Sequence, residues 1–185
     1  MLKSTLRTAV AAAGISLVAF AAYAKDPMVG GAAMYPSKNI IENAVNSKDH
    51  TTLVAAVKAA GLVDTLEGKG PFTVFAPTNE AFAALPKGTV ATLLKPENKA
   101  KLTKILTCHV VAADAMSMTV KKMIKDDGGE HDIKTVGGCI IKARQTKGKI
   151  TLTDANGDVA HVTIADVKQS NGVIHVIDKV LLPKM

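Results

Sequence analysis

The chain changes its pattern at Cys108, and this change constrains the fold more than any other feature of the sequence. Before Cys108 the apolar residues recur mostly at helical spacing, interrupted by one run of strand formers, residues 72–77 "FTVFAP". After Cys108 the segments are rich in Val, Ile and Thr, and Gly or Asn-Gly separates them. Helices followed by strands predict an α+β fold, whereas repeated βαβ units would predict a parallel α/β sheet.

Two longer stretches before Cys108 predict helices. In the first, Leu53, Val54 and Val57 share one face, and Gly61 stands where a C-terminal cap is expected. Asp49 or Thr51 is expected to cap its start. The second covers residues 98–108, "NKAKLTKILTC", with its lysines mostly facing water.

A shorter helix is predicted directly after the strand, in the stretch "TVFAPTNEAF" at residues 73–82. Pro77 ends the strand because it cannot donate to the ladder. Thr78 is the expected N-cap, and Glu80 in the first turn complements the helix dipole. A sharp strand-to-helix turn can hold a nucleophile or a phosphate, but the chain has neither a Gly-rich phosphate loop nor a GxSxG elbow.

The N-terminal segment predicts export. Lys3 and Arg7 precede an apolar run over residues 9–22, and Ala-Tyr-Ala at 22–24 fits the cleavage rule. We therefore predict a signal peptide over residues 1–24 and a secreted or periplasmic mature protein. The alternative, a membrane anchor, needs about 20 spanning residues, more than this interrupted run provides. No stable membrane insertion is expected after cleavage.

Residues 25–38, "KDPMVGGAAMYPSK", mix Pro, Gly and small residues without periodicity and predict a flexible leader. Removing 24 residues from 185 leaves 161, which is the length of one ordinary domain.

The charge of the mature chain does not indicate nucleic-acid binding. Without Lys3 and Arg7, the 23 basic residues fall to 21 against 16 acidic ones, a net charge of +5. Arg144 is the only arginine left, and phosphate readers rely on arginine forks. Few aromatic side chains remain to stack on bases. The lysines are interpreted as a solvated surface.

The two cysteines, Cys108 and Cys139, are predicted to form a disulfide because an exported protein meets an oxidising compartment. The alternative is two separate buried thiols that behave as small hydrophobic groups. A thiol-redox role would need a thiol of low pKa, and the sequence around neither cysteine provides one.

No cofactor, metal site or catalytic residue is predicted, and the protein is not expected to be an enzyme. Residues 154–158, "DANGD", resemble the start of a calcium loop but lack its distal Gly and Glu, and Asn156-Gly157 predicts a hairpin instead. The five histidines show no metal-ligand spacing. His161 and His175 lie in apolar strands and are expected to hydrogen-bond to the backbone.

Three motifs carry a resemblance to a known family. They are "GPFTVFAPTNEAFAALP" at residues 70–86, "CHVV" at 108–111 and "SNGVIHVIDKVLLP" at 170–183. In this order and at these separations they resemble a fasciclin I domain, most closely the single-domain secreted bacterial members. The likeness runs from about Asn39 to Pro183, so residues 39–185 are assigned to this domain. It implies an α+β wedge of strands carrying short helices.

The resemblance also implies structural roles for residues of the two longer motifs, in which strand, turn and helix lock onto "GVIHVIDKVLL". These residues are Thr73, Phe75, Pro77, Thr78, Asn79, Phe82, Asn171, Gly172, His175 and Asp178.

Partner contacts in animal relatives are linked to a Tyr-His pair with nearby aliphatic residues and to an Asp-Ile element. The first pair reads Cys-His here, so its tyrosine is missing. The competing interpretation makes the histidine a buried hydrogen-bonding residue and the aspartate a turn or cap residue. The matching candidates for partner contact are His109, Val110, Val111, Asp166 and Val167.

The resemblance predicts an exported, non-catalytic module that binds a protein or polysaccharide of a cell surface or matrix. The alternative is a periplasmic small-molecule carrier, because a domain rich in Ala, Val and Met can leave a lined pocket.

Overall fold

A seven-stranded sheet organises the computed structural model, which describes residues 26–184. The signal peptide predicted over residues 1–24 lies outside the described residues. The helices are α1 Ile40–Ala44, α2 Thr51–Ala60, α3 Val63–Glu67, α4 Asn79–Ala83, α5 Thr89–Leu93, α6 Lys99–Thr107 and α7 Ser117–Asp126, with 3₁₀ turns at Lys48–His50 and Pro96–Asn98. The strands are β1 Met28–Val29, β2 Ala32–Ala33, β3 Phe72–Pro77, β4 Val110–Val111, β5 Glu130–Lys134, β6 Ile140–Thr146, β7 Lys149–Thr153, β8 Val159–Gln169 and β9 Gly172–Ile177.

The large sheet has the strand order β4-β3-β9-β8-β7-β6-β5, while β1 and β2 form a separate hairpin. Strands β5 to β9 form an antiparallel meander, and the pair β3 and β9 is parallel. Mixed helices and strands of this kind confirm the predicted α+β wedge.

Strands β3 and β9 form the centre of the fold. They pair in parallel from Phe72 opposite Gly172 to Pro77 opposite Ile177. Both are buried along nearly their whole length, as expected for strands covered on both faces. Gly172 is required at its position, because a Cβ atom there would overlap the backbone of Phe72.

The central strands separate two hydrophobic cores. Val74 and Ala76 of β3 contribute to the core formed with α1 to α6, whereas Phe75, which points to the other face, contributes to the core formed with α7 and the meander. The period of two along a strand thus assigns neighbouring residues to different cores.

The residues after the predicted signal peptide pack against the domain and do not form the flexible leader predicted over residues 25–38. Residues 28–33 form the β1–β2 hairpin, and Val29 and Met34 are buried in the helical core. The backbone is also held, because Lys48 N donates to Gly30 O at 3.1 Å. Strands of two residues are too short to show periodicity, so the sequence pattern did not reveal them.

The helix predictions hold with two corrections. Helices α2, α4 and α6 form as predicted, and Gly61 ends α2 in the left-handed region at φ 72°. However, neither Asp49 nor Thr51 caps α2 with its side chain. Helix α7 lies between β4 and β5, so the chain does not run strictly from helices to strands.

Candidate functional site

The two ends of the large sheet meet at a seam between residues 107–111 and the turn at residues 135–140. The disulfide joins Cys108 to Cys139 here, with Cα atoms 5.4 Å apart, as predicted. Val136 N donates to Val110 O at 2.7 Å. The covalent bond and the backbone hydrogen bond together close the sheet into a near-barrel.

Gly137 lets the two sides of the seam approach. Its amide donates to Thr107 O at 2.9 Å. A Cβ atom at this position would lie 2.7 Å from Thr107 Oγ1 and 2.8 Å from Cys108 N, closer than side chains ordinarily pack. Gly137, two residues before Cys139, therefore allows the backbone contact that positions the disulfide.

His109 is buried behind the seam, with 2% of its surface exposed. Nδ1 donates to Ile105 O at 2.9 Å, and Nε2 accepts from Leu181 N at 2.9 Å. These two bonds require the neutral ring with its proton on Nδ1. Burial lowers the pKa of His109 to about 4. His109 therefore ties the end of α6 to the C-terminal segment.

This placement corrects the candidate partner contacts around the seam. His109 and Val110 are buried and Val111 is half-buried, so these side chains form no exposed surface for a partner. The competing interpretation of His109, a buried hydrogen-bonding residue, describes its contacts.

The second candidate contact, Asp166 with Val167, is also engaged within the protein, with Asp166 half-buried. Asp166 lies at φ 60° where β8 bulges, and Val167 is fully buried. The Asp166 carboxylate accepts from Ser117 N at 2.6 Å and from the Ser117 hydroxyl. A carboxylate at this position satisfies a free amide and complements the dipole of α7. Asp166 thus caps α7 from a distant strand.

Asn79 caps another helix in the same way. Its Oδ1 accepts from Thr51 Oγ1 at 3.1 Å and from Thr52 N at 3.0 Å, which lie at the start of α2. Its Nδ2 donates to Lys48 O at 2.8 Å. The strand-to-helix turn therefore fastens α4 to α2, and Thr78 beside it caps α4 by accepting from Ala81 N.

Asn171 connects two further helices to the central sheet. Its Oδ1 accepts from Ile40 N at 3.0 Å at the start of α1. Its Nδ2 donates to Leu66 O at 2.7 Å and to Gly68 O at 3.0 Å, at the end of α3. These bonds satisfy backbone groups that short helices leave free.

Thr73 and His175 hold the segment before α7. Thr73 Oγ1 donates to Ala113 O at 2.6 Å and accepts from Ala115 N at 2.8 Å. His175 Nε2 donates to Ala115 O at 2.8 Å, and burial lowers its pKa. Its ring stacks on Phe75 with centroids 5.7 Å apart. His175 therefore bonds to the backbone, as its strand position predicted.

His161 differs from that prediction. Its side chain is exposed on β8, and its Nδ1 lies 3.0 Å from the Asp178 carboxylate, which also accepts from His161 N at 2.7 Å. Alternate residues of a strand face opposite sides, so an apolar run does not by itself bury each member. Asp178 thereby links the end of β9 to β8.

The calcium-like loop is a hairpin between β7 and β8. The Asp154 carboxylate accepts from Asn156 N at 2.9 Å, from Asp158 N at 3.0 Å and from Leu182 N at 2.8 Å. These bonds engage both carboxylate oxygens within the protein. Within residues 26–184, no group of three or more His, Cys, Asp or Glu residues is arranged to hold a metal ion.

The seam also exposes apolar surface. Val136 and Ile140 are 52% and 53% exposed, although both lie on the turn that the disulfide anchors. Ile140 shares an open groove with Lys104, Lys142 and Lys184. We call these five residues the seam patch. An apolar centre with a charged rim is the arrangement found in many protein interfaces.

Acid is expected to destabilise the protein through His109. The unfolded state binds a proton near pH 6.5 and the folded state near pH 4, so stability is full above pH 6.5 and falls as the pH drops toward 4. The loss from this residue is about 3 kcal/mol. Urea denaturation at pH 7 and pH 4 measures it.

Two variants isolate the contribution of His109. His109→Gln does not titrate, so it should be less stable at pH 7 but should lose less stability between pH 7 and pH 4. His131→Gln changes a histidine outside the core, next to Asp127, and should keep the full loss. An unchanged acid loss in His109→Gln would refute this assignment.

Comparisons with known proteins match most of the chain to one family. Residues 48–183 match the family model described as Fasciclin domain. Protein sll1483 of Synechocystis sp. is 47% identical over 161 residues, which cover 87% of this chain and 82% of that protein. Cell surface glycolipoprotein MPB83 of Mycobacterium bovis is 32% identical over 163 residues, which cover 88% of this chain and 63% of that protein.

One solved structure shows the same fold. It is the FAS1 domain pair from the insect cell adhesion molecule Fasciclin I, which aligns with a TM-score of 0.70 at 19% identity. The alignment covers 78% of this chain and 51% of that one.

Proposed function

The chain belongs to the fasciclin domain family, and on this premise we propose that it is an exported, non-catalytic module that binds a protein of a cell surface or matrix. The observation that carries the proposal is the likeness to a cell-surface glycolipoprotein over 88% of the chain. The fold shared with an insect cell adhesion molecule supports it. None of the helices within residues 26–184 is long and apolar enough to cross a membrane.

The hydrogen bonds of the core support a role without catalysis. Candidate acids and bases such as His109, His175 and Asp154 are engaged with backbone groups that hold the fold together. Among the described residues, His50 Nε2 is the single buried side-chain nitrogen or oxygen without a hydrogen-bond partner. A nucleophile with an adjacent, oriented base is the usual signature of covalent catalysis. Ser47 Oγ lies 2.8 Å from His50 Nδ1, but both side chains are buried and this pair is not open to a substrate.

The seam patch is the surface that we assign to the partner. Val136 and Ile140 are large apolar side chains on a rigid turn, so burying them costs little conformational freedom. The rim carries charges of both signs, because Asp132 and Asp154 line the same groove and Lys142 pairs with Glu130. Such a rim orients a protein partner whose charges complement it. A neutral polysaccharide would use neither feature.

The test is binding of the labelled protein to intact cells of the organism that produces it. The double variant Val136→Ser/Ile140→Ser should bind at least tenfold more weakly, since exposed apolar anchors carry much of an interface's energy. Met118→Ser is the matched control, because Met118 is 75% exposed on α7 and does not line the groove, so its loss should leave binding unchanged. Both variants should melt normally.

Protease treatment of the cells distinguishes the class of partner. Binding that disappears after treatment supports a protein, and binding that persists would show a polysaccharide. Equal binding by the double variant and the wild type would remove the seam patch from the proposal. Saturable turnover of any substrate would contradict the non-catalytic role.

A second candidate function is a carrier of small molecules. It is favoured by an apolar cavity in the helical core, between α1 to α3 and the central strands. None of its lining residues belongs to the seam patch, so the two candidate sites use different side chains.

A further inference from the structure

The chain contains the dipeptide Asn-Gly twice, at residues 156–157 and 171–172. Asparagine before glycine is prone to spontaneous deamidation, because glycine has no side chain to hinder attack by its amide nitrogen on the asparagine side chain. The attack requires that both residues leave their folded geometry. The fold allows this movement at one of the two pairs and opposes it at the other.

The pair Asn171-Gly172 is held firmly beside the central sheet. Asn171 Nδ2 donates to Leu66 O at 2.7 Å and to Gly68 O at 3.0 Å. Gly172 begins β9 and packs so closely on β3 that a Cβ atom there would overlap the backbone of Phe72. Rotation of Gly172 N toward the Asn171 side chain would break these contacts, so the fold protects this pair.

The pair Asn156-Gly157 lies at the exposed tip of the β7–β8 hairpin. Asn156 Nδ2 donates to Leu182 O at 3.3 Å and to Pro183 O at 3.2 Å, the long end of the hydrogen-bond range. Gly157 N donates to Asp154 O, also at 3.2 Å. Apart from its chain neighbours, no described atom lies within 4 Å of the place where a Cβ atom of Gly157 would stand. The rotation that the attack requires breaks only these long bonds, so it costs less than opening the central sheet.

We propose that Asn156 is a site of spontaneous deamidation. Gly157 N loses its proton to water and attacks Cγ of Asn156, so a new C–N bond forms. The bond from Cγ to Nδ2 then breaks, and ammonia leaves with a proton taken from water. The resulting succinimide ring takes up one water molecule, which opens either of its two C–N bonds. The products are aspartate and isoaspartate at position 156.

The reaction replaces a hydrogen-bond donor with a charged acceptor where the protein offers only acceptors. The amide of Asn156 faces the carbonyl oxygens of Leu182 and Pro183, and a carboxylate cannot donate to them. The Asp154 carboxylate, which accepts from Leu182 N, lies in the same loop and repels the new charge. Deamidation should therefore release residues 182–184 from the hairpin. Lys184 of the seam patch belongs to this segment, so the surface changes whether or not it binds a partner.

Peptide mapping of aged protein tests the site. The mature protein is kept at physiological temperature and mildly alkaline pH, which favours loss of the amide proton, and samples are digested with trypsin over time. Residues 150–168 and 169–179 then form two peptides with one asparagine each, Asn156 in the first and Asn171 in the second. The fraction of the first peptide that is about 1 Da heavier should grow about tenfold faster than that of the second. A sample digested without ageing corrects for deamidation during the digest.

Ageing in guanidinium chloride removes the protection by the fold. The two peptides should then react at similar rates, since each contains Asn-Gly. Equal rates in the folded protein, or faster reaction of Asn171, would overturn the assignment of Asn156. A first peptide that stays unmodified in the folded protein while it reacts in the denaturant would overturn it as well.

Two variants test the release of the C-terminal residues. Asn156→Asp reproduces the new charge, and Asn156→Ser is the matched control, because serine removes the amide without adding a charge. Hydrogen exchange of the Leu182 amide, which donates to Asp154, reports on the segment, and the Phe72 amide in the central sheet is the internal reference. The Leu182 amide should exchange severalfold faster in Asn156→Asp than in Asn156→Ser, while the Phe72 amide should not change. Equal exchange of Leu182 in the two variants would refute the release.

Discussion

Phe82→Ala is expected to lower the free energy of unfolding by about 3–5 kcal/mol, a large share of the stability of one domain. Phe82 is buried in the helical core on α4, directly after the strand-to-helix turn. Removing its ring leaves a cavity where α4 packs, and the surrounding side chains collapse only in part. Urea denaturation of purified variants measures the change.

The control for Phe82→Ala is Phe72→Ala, because Phe72 is only half-buried and should cost less. The same experiment tests the structural role of the turn. A Phe82→Ala variant that melts normally but no longer binds cells would show that the turn forms the partner site instead. Asn79→Ala should also lower the free energy of unfolding, because it removes the side chain that caps α2.

Loss of the disulfide is expected to cost about 3–4 kcal/mol, because the bridge closes a loop between cysteines 31 residues apart. The double variant Cys108→Ala/Cys139→Ala avoids placing a new polar group in the buried position of Cys108. Denaturation of the double variant and of wild type with and without reductant gives the change. The reductant should not affect the variant.

Removal of the disulfide should loosen the seam more than the central sheet. The amide of Val136, which donates to Val110 O across the seam, should exchange with solvent much faster in the variant. The amide of Phe72, which bonds to Asn171 O in the central sheet, is the internal control. Uptake of two alkyl groups by the unfolded, unreduced exported protein would show that both thiols are free and would refute the disulfide.

Much of the fold could be predicted because its signals are local. The helical spacing before Cys108, the capping residue Thr78 and the left-handed Gly61 each act within a few residues of their own position. The hairpin at Asn156-Gly157 is likewise decided by turn chemistry. Helix α7 was not predicted, although its sequence carries a local signal: Val120 and Ile124 are four residues apart on its buried face.

The candidate contacts were less predictable because burial depends on the whole fold. His109 follows the end of α6 in a short apolar motif, and nothing in that motif shows that Leu181, 72 residues later, donates to its ring. Val167 was a candidate partner contact, but its side chain is fully buried next to the bulge of β8. A sequence pattern specifies which residues are apolar, not which face a distant strand covers.

The sequence alone was enough for the change from mainly helices to mainly strands near Cys108, the turn at Pro77 and the family, since these depend on spacing and short motifs. Helix α1 has a local capping box between Asn39 and Glu42. The tertiary structure alone brings distant side chains to the other free groups at helix ends: Asn171 to α1 and α3, Asn79 to α2 and Asp166 to α7. The physical reason is that a free backbone amide or carbonyl bonds to whichever polar side chain the fold brings within about 3 Å.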